Sequence, residues 1–263
     1  MKQTLSGSAI VLICVLGIHA ASAKCLGKSG ERLVPLVELY TAEGCNECPA
    51  ADRWLSELSK QPASARPSLL ALHVDYWDEI GWPDRFAAPL HGKRQEARVT
   101  LAGKRVVYTP QVMVGRNTQV DWRDPRRLAS SLSSLADSPA VDLTLQANRQ
   151  QGTGLLVRFS ATLRQNEHVR LQPLLWLALY QDGLSSTVTA GENKGMTLRH
   201  DRVVRTLKGP WRMQESRFEG EASISLPQAG EDQLGLVLFA ESSLTGAGLQ
   251  SLELPLSACP ADG

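Results

Sequence analysis

Val34-Pro-Leu-Val-Glu-Leu-Tyr-Thr-Ala-Glu-Gly-Cys45-Asn-Glu-Cys48-Pro-Ala-Ala-Asp-Arg-Trp-Leu-Ser-Glu-Leu58 reads as a strand, a glycine turn and a Cys-x-x-Cys pair opening a helix. The apolar run Val34 to Tyr40 has the length and bounds of a buried strand, while Ala51, Trp54, Leu55 and Leu58 recur at helical spacing. Cys45 therefore falls near a helix N-terminus, where unpaired backbone N–H groups and the helix dipole favour a thiolate over a thiol. Cys48, one turn later, is placed to resolve a mixed disulfide, and Pro49 fits a first turn, where its missing N–H costs little. Glu38, Glu43 and Glu47 bring negative charge near the pair, which opposes the thiolate and moderates the effect of the helix.

Three readings of the pair stand open: a redox dithiol, a permanent structural disulfide, and a metal site. A zinc site normally needs a second ligand pair at short spacing, and the sequence has none. A soft ion such as Cu(I) could be held by Cys45, Cys48 and a histidine such as His73. The strand-to-helix context favours the redox dithiol, with Cys45 as an exposed nucleophile.

Downstream, Gln61-Pro-Ala-Ser-Ala-Arg-Pro67 is a turn-rich connector, and Leu69-Leu-Ala-Leu-His-Val-Asp-Tyr76 is a second buried strand. Strand, helix, strand at this spacing makes a βαβ unit with both carboxyl ends on one sheet edge, where open α/β sheets bind ligands. That edge gathers the cysteines and His73-Val-Asp-Tyr-Trp-Asp78, and makes Glu38 and Asp75 candidate proton acceptors. Asp84 is placed to cap a helix through Phe86, Leu90 and Ala97, whose polar face of His91, Lys93, Arg94, Gln95 and Glu96 reads as solvated. Pro110 interrupts the apolar stretch Arg105 to Val114, so a bend is expected there. Gly115-Arg-Asn117 turns the chain, and Asp124-Pro125 opens a helix through Leu128, Leu132 and Leu135. Arg123, Arg126 and Arg127 interleave with Asp121 and Asp124, which reads as a solvated helix start and not as a nucleic-acid surface.

The N-terminus carries Lys2, an apolar core from Ala9 to Gly17 and the small-residue site Ala21-Ser22-Ala23, the pattern of a secretory signal peptide cleaved before Lys24. The expected location is therefore periplasmic or secreted. No later segment approaches the ~20 apolar residues of a bilayer span, so no stable membrane anchor is expected. Cleavage removes Cys14 and leaves Cys25, Cys45, Cys48 and Cys259, an even number for an oxidising compartment. Cys25 and Cys259 then remain as a candidate clasp between the two ends of the mature chain; the alternative, an electron-relay pair, finds no support near either residue, since Cys259 lies in a Pro- and Ala-containing tail with no helix start. The formal charge of +1 and a 43 % hydrophobic content allow a packed core without charge-driven partners.

From Ala140 the texture changes to short, often alternating strands: Val141 to Leu145, Leu155 to Phe159, Leu174 to Tyr180, Ala222 to Leu226 and Leu234 to Phe239. This predicts a β-sandwich-like domain. Asp137-Ser-Pro-Ala140 is the linker, dividing the chain into a leader over 1–23, an α/β domain over 24–138 and a β-rich domain over 139–263. Within the last, Gly191-Glu-Asn-Lys-Gly195 and Arg199-His-Asp-Arg202 read as a long solvated connection, with a ligand loop as the alternative.

The order strand, Cys-x-x-Cys helix, strand, helix, Thr109-Pro110, hairpin and helix resembles the thioredoxin fold. Thr41 to Asp52, His73 to Asp78 and Tyr108-Thr-Pro-Gln111 are similar to a family of exported bacterial thioredoxin-like proteins, domain of unknown function family 1223. The likeness covers Leu33 to about Asp137, although Gly44 and Asn46-Glu47 replace the tryptophan and Gly-Pro that typical thioredoxins place around the cysteines. It implies a cis bond before Pro110, facing the dithiol, and a substrate groove lined by Thr109 and Pro110, with Asp75, Tyr76 and Trp77 on the same edge. The resulting expectation is an exported thiol–disulfide oxidoreductase that exchanges through Cys45 and Cys48. It needs no cofactor, and its partners are exported protein or small-molecule thiols and disulfides. A copper carrier, and a binding module stapled by a structural disulfide, are the rivals.

Overall fold

A computed structural model describes residues 25–135, 138–228, 230 and 233–259. The segment read as a signal peptide and Asp137 of the expected linker lie outside them. The fold is mixed α/β and rich in strands, arranged in sheets of eight, four and two.

The stretch around the cysteines builds the middle of the large sheet. Strand β2 (Leu36–Thr41) pairs in parallel with β3 (Ser68–His73), from Leu36 opposite Ser68 to Thr41 opposite His73. On its other edge β2 pairs antiparallel with β4 (Gln111–Val114), which turns through Gly115 into β5 (Asn117–Val120). Helix α1 (Cys48–Ser59) buries Ala51 and Leu55 against Val37, Leu39, Leu69 and Ala71, and α3 (Pro125–Ser133) adds Leu128 to that cluster. Asp124 caps α3 by accepting from the Arg126 N–H, as its Asp-Pro start predicts. Helix α2 (Pro89–Leu101) sends Val99 into a second cluster with Tyr40, Leu70, Leu72 and Met113.

The sheet does not stop where the texture of the sequence changes. Val203 of β11 (Val203–Arg212) pairs in parallel with Ala71 of β3. Beyond it come β8 (Pro173–Gln181), β13 (Leu234–Ser242) and β14 (Gly248–Pro255), so the order is β14-β13-β8-β11-β3-β2-β4-β5. Over the β8–β13–β14 part lies a four-stranded sheet of β1 (Cys25–Lys28), β6 (Val141–Arg149), β7 (Gly154–Leu163) and β12 (Arg217–Ser225). Alternate residues of the two layers, among them Leu143, Leu145, Val157, Phe159, Leu177, Leu236 and Leu238, fill one apolar core. Cys25 and Cys259 are joined, with Cα atoms 4.9 Å apart across 234 residues of chain.

Helix α2 departs from the sequence reading. It starts at Pro89 with no side-chain cap, because Asp84 lies too far upstream and its carboxylate is used elsewhere. Its polar face is solvated only in part: Lys93 and Glu96 are exposed, whereas His91, Arg94, Gln95 and Arg98 are buried. Arg94 reaches Glu38 of β2 at 2.6 Å and Glu241 of β13 at 2.8 Å, and its guanidinium lies over the rings of Trp176 and Phe239. Arg98 adds 3.1 and 2.7 Å pairs to the same two carboxylates. Burial opposes an ionised Glu241, but the two guanidiniums outweigh it and hold its pKa well below the usual carboxylate range. Both Glu38 carboxylate oxygens are thereby engaged in this network.

Candidate functional site

Cys45 and Cys48 form a disulfide with Cα atoms 5.4 Å apart. Cys48 is the first residue of α1, with Pro49 in its first turn, while Cys45 sits in the preceding turn, where its N–H donates to the Ala42 carbonyl. The pair thus lies at the helix start anticipated from the spacing. Trp77 packs against the cluster that holds both cysteines and lies beside Gly44, where an added Cβ would meet the Trp77 Cβ at 3.5 Å, an ordinary van der Waals contact. The Trp77 indole N–H donates to Thr109 Oγ1 at 2.7 Å, and the Thr109–Pro110 bond that follows is cis. Tyr76 donates to Gln95 Oε1 at 3.3 Å, and Asp75 lies against Gly92 of α2. Cys45, Cys48, Trp77 and Thr109 are therefore brought together at the carboxyl edge of β2 and β3.

Cys45 is not the exposed nucleophile expected from the sequence. It is 2 % accessible, packed in an apolar cluster with Cys48 and Val74, and the chain between β9 (Leu184–Thr187) and β10 (Thr197–His200) docks on its loop. The Asn193 side-chain amide donates to the carbonyl oxygens of Glu43, at 2.7 Å, and Cys45, at 2.9 Å. The Asn46 N–H donates to Glu192 Oε2 at 3.1 Å. The polar stretch from Gly191 to Arg202 is thus no simple solvated connection.

Behind the cysteines is a buried polar cluster drawn from both halves of the chain. Thr41 donates to Asp52 Oδ1 at 2.9 Å, one helical turn beyond Cys48, and Asp52 Oδ2 lies 3.4 Å from His200 Nδ1. The other ring nitrogen of His200 is 3.1 Å from Glu43 Oε1, and Trp82 donates to Glu43 Oε2 at 2.7 Å. Asp84 accepts the Glu43 N–H at 2.9 Å and holds His73 Nδ1 at 2.6 Å. Burial alone would lower the His200 pKa, but the bonds to Asp52 and Glu43 override it and raise it to about 9. Burial likewise opposes an ionised Glu43, yet the bond to His200 brings its pKa below the usual value. An imidazolium bracketed by carboxylates flanking both cysteines can hold charge and deliver or accept protons inside a closed site. Among the described residues no group of three or more His, Cys, Asp or Glu side chains is arranged to hold a metal ion.

In the sequence Asp52 stands only as the end of the Thr41–Asp52 motif, and Glu192, Asn193 and His200 only within a stretch read as a solvated connection or a ligand loop; none of them is given a place beside the cysteines there. A signal was present for His200: it alternates with Leu198 on the inward face of β10, while Thr197 and Arg199 between them are exposed.

Residues 36–241 match the family described as protein of unknown function DUF1223. The chain belongs to that family. No curated protein matches it. Among solved structures it is similar to a structural-genomics crystal structure of an Agrobacterium tumefaciens protein, at TM-score 0.59 and 20 % identity, over 89 % of this chain and 100 % of that one. It is also similar to HBP35 of Porphyromonas gingivalis, at TM-score 0.65 and 10 % identity, over 89 % of this chain and 79 % of that one. At such identities the likeness is one of fold alone.

Proposed function

We propose that this protein is an exported thiol–disulfide oxidoreductase whose α/β half, from β2 to α3, is thioredoxin-like. The observation that carries the reading is the disulfide-linked Cys-x-x-Cys pair at the start of α1, on the carboxyl edge of a parallel strand pair. Two further features support it: Trp77 and Thr109 pack beside the pair, and a buried acid–base cluster lies behind it.

In the reduced protein the Cys45 thiolate attacks a substrate disulfide. A Cys45–substrate disulfide forms, and the displaced substrate sulfur leaves as a thiolate that takes up a proton. Cys48 then gives up its proton and attacks Cys45 Sγ, closing the Cys45–Cys48 bond and expelling the second substrate thiol. Two electrons pass from the protein dithiol to the substrate, and the same steps reversed oxidise a substrate dithiol. Thr109 and Pro110 line the groove, with Asp75, Tyr76 and Trp77 on its rim.

A Cys48→Ser variant lacks the resolving thiol and accumulates mixed disulfides through Cys45, whereas Cys45→Ser traps none. Failure of Cys48→Ser to capture any exported protein or thiol would reject the reading. The burial of Cys45 favours one rival, a structural staple. A reduction potential below about −300 mV, the range of structural disulfides, would decide for the staple.

A further inference from the structure

Among the described residues strands β9 and β10 pair only with each other, forming a two-stranded sheet apart from the other two. The segment between them closes on itself: Val188 N–H donates to Met196 O at 2.9 Å, Gly195 N–H to Val188 O at 2.8 Å, and Met196 N–H to Asn193 O at 3.0 Å. Gly191, Glu192, Lys194, Gly195 and Met196 are exposed, yet Asn193 in their midst is 2 % accessible. One side chain of a solvated turn is therefore driven into the dithiol site. Three hydrogen bonds dock the tip: two from Asn193 to backbone carbonyls and one from the Asn46 N–H to Glu192. At the other end of the hairpin, His200 is set between Glu43 and Asp52. The bonds that dock the tip are thus separate from those that fix the base of the hairpin.

The groups it covers are backbone groups. Lifting the tip frees two acceptors, the carbonyls of Glu43 and Cys45, and one donor, the Asn46 N–H. An extended polypeptide offers matching N–H and C=O groups along its length, as in strand-like peptide recognition, while a small thiol without amides offers none. Withdrawal of Glu192 also removes a carboxylate from the helix start, where it competes with a Cys45 thiolate for the same positive end of the dipole.

We propose that the β9–β10 hairpin is a displaceable flap whose Asn193 and Glu192 side chains hold the place of an extended polypeptide beside Cys45, so that the dithiol selects protein thiols and disulfides over small ones. The inference rests on the redox reading of the Cys45–Cys48 pair. Asn193 is a positioning residue in it and takes no part in the exchange of sulfur bonds.

The full chain provides the test, as wild type, Asn193→Ala and Gly191→Ala. Gly191 has φ +72°, and a Cβ there would sit 3.2 Å from the Trp82 Cβ, so its replacement loosens the tip without removing a bond to the cysteine loop. With reduced protein, Asn193→Ala is expected to raise Cys45 alkylation by iodoacetamide about tenfold, the loss of two hydrogen bonds of ordinary strength, and Gly191→Ala to raise it in the same direction through strain at the tip. Exchange with a small aromatic disulfide should rise with it. Exchange with a disulfide-linked extended peptide should change less than about threefold, because the peptide supplies the lost bonds itself. Alkylation at the wild-type rate in both variants, or equal acceleration of the two disulfides, would overturn the proposal. Failure of the redox reading is told apart with oxidised protein. Faster opening of Cys45–Cys48 by a phosphine in Asn193→Ala upholds the flap as a cover even where Cys48→Ser traps nothing, and an unchanged rate rejects it.

Discussion

Arg94 of α2 donates through Nη1 to Glu241 Oε1 at 2.8 Å and through Nη2 to Oε2 at 2.9 Å, a buried pair spanning 147 residues of chain. Glu241 also accepts from the Trp176 indole at 2.8 Å and from Arg98 at 2.7 Å. Two guanidiniums are thus neutralised in the interior by Glu38 and Glu241 together. Replacing Glu241 by alanine leaves two buried cations facing one carboxylate, and removing one partner of such a pair costs about 3–5 kcal/mol. A urea titration of Glu241→Ala should show a loss of this size. A loss under about 1 kcal/mol, the scale of an exposed pair, would mean that water reaches the network.

The pH dependence of stability follows from His200. Its folded pKa of about 9 stands above the ordinary value of 6.5, so its contribution is fully present below pH 6.5 and is lost as pH rises through 9. A shift of that size corresponds to about 3 kcal/mol. The groups facing the ring are Glu43 after β2, Asp52 on α1, and His73 of β3 at 5.0 Å between ring centroids, with Asp84 bonded behind His73. Chemical denaturation at several pH values should therefore show stability falling between pH 6.5 and 9 in the wild type and a flatter profile in His200→Gln. Identical slopes in the two proteins would show that the imidazole is not charged in the fold.

The Cys25–Cys259 disulfide closes nearly the whole described chain into one loop. In the loop-entropy model such a closure is worth up to about 5 kcal/mol, and measured values are commonly about 2–4. Strand β1 also pairs with β6 through four residues, which keeps the N-terminal end docked without the bond. The double variant Cys25→Ser, Cys259→Ser should then lose about 2–4 kcal/mol in a denaturant titration. It should keep the alkylation and exchange rates of Cys45. Loss of Cys45 reactivity in the folded double variant would mean that the clasp and the dithiol are coupled.

Short-range pattern was enough to locate the dithiol, the strand-helix-strand unit around it, the bend at Pro110, the Asp124 cap and the alternating strands after Ala140. Each of these is governed by residues a few positions apart, through helical or strand periodicity, capping and the stiffness of proline. The terminal clasp was legible for a different reason: between residues 25 and 259 Cys25 and Cys259 are the two cysteines outside the Cys-x-x-Cys motif, so arithmetic stands in for distance. The buried face of α2, the cover over Cys45 and the acid–base cluster behind it were not legible. Arg94 is buried because Glu38 and Glu241 lie opposite it, and Asn193 is buried because it meets carbonyls about 150 residues away. A charged or amide side chain reads as solvated until a partner offsets its desolvation. Here those partners arrive through the pairing of Val203 with Ala71, which joins the two halves into one sheet and which no local pattern encodes.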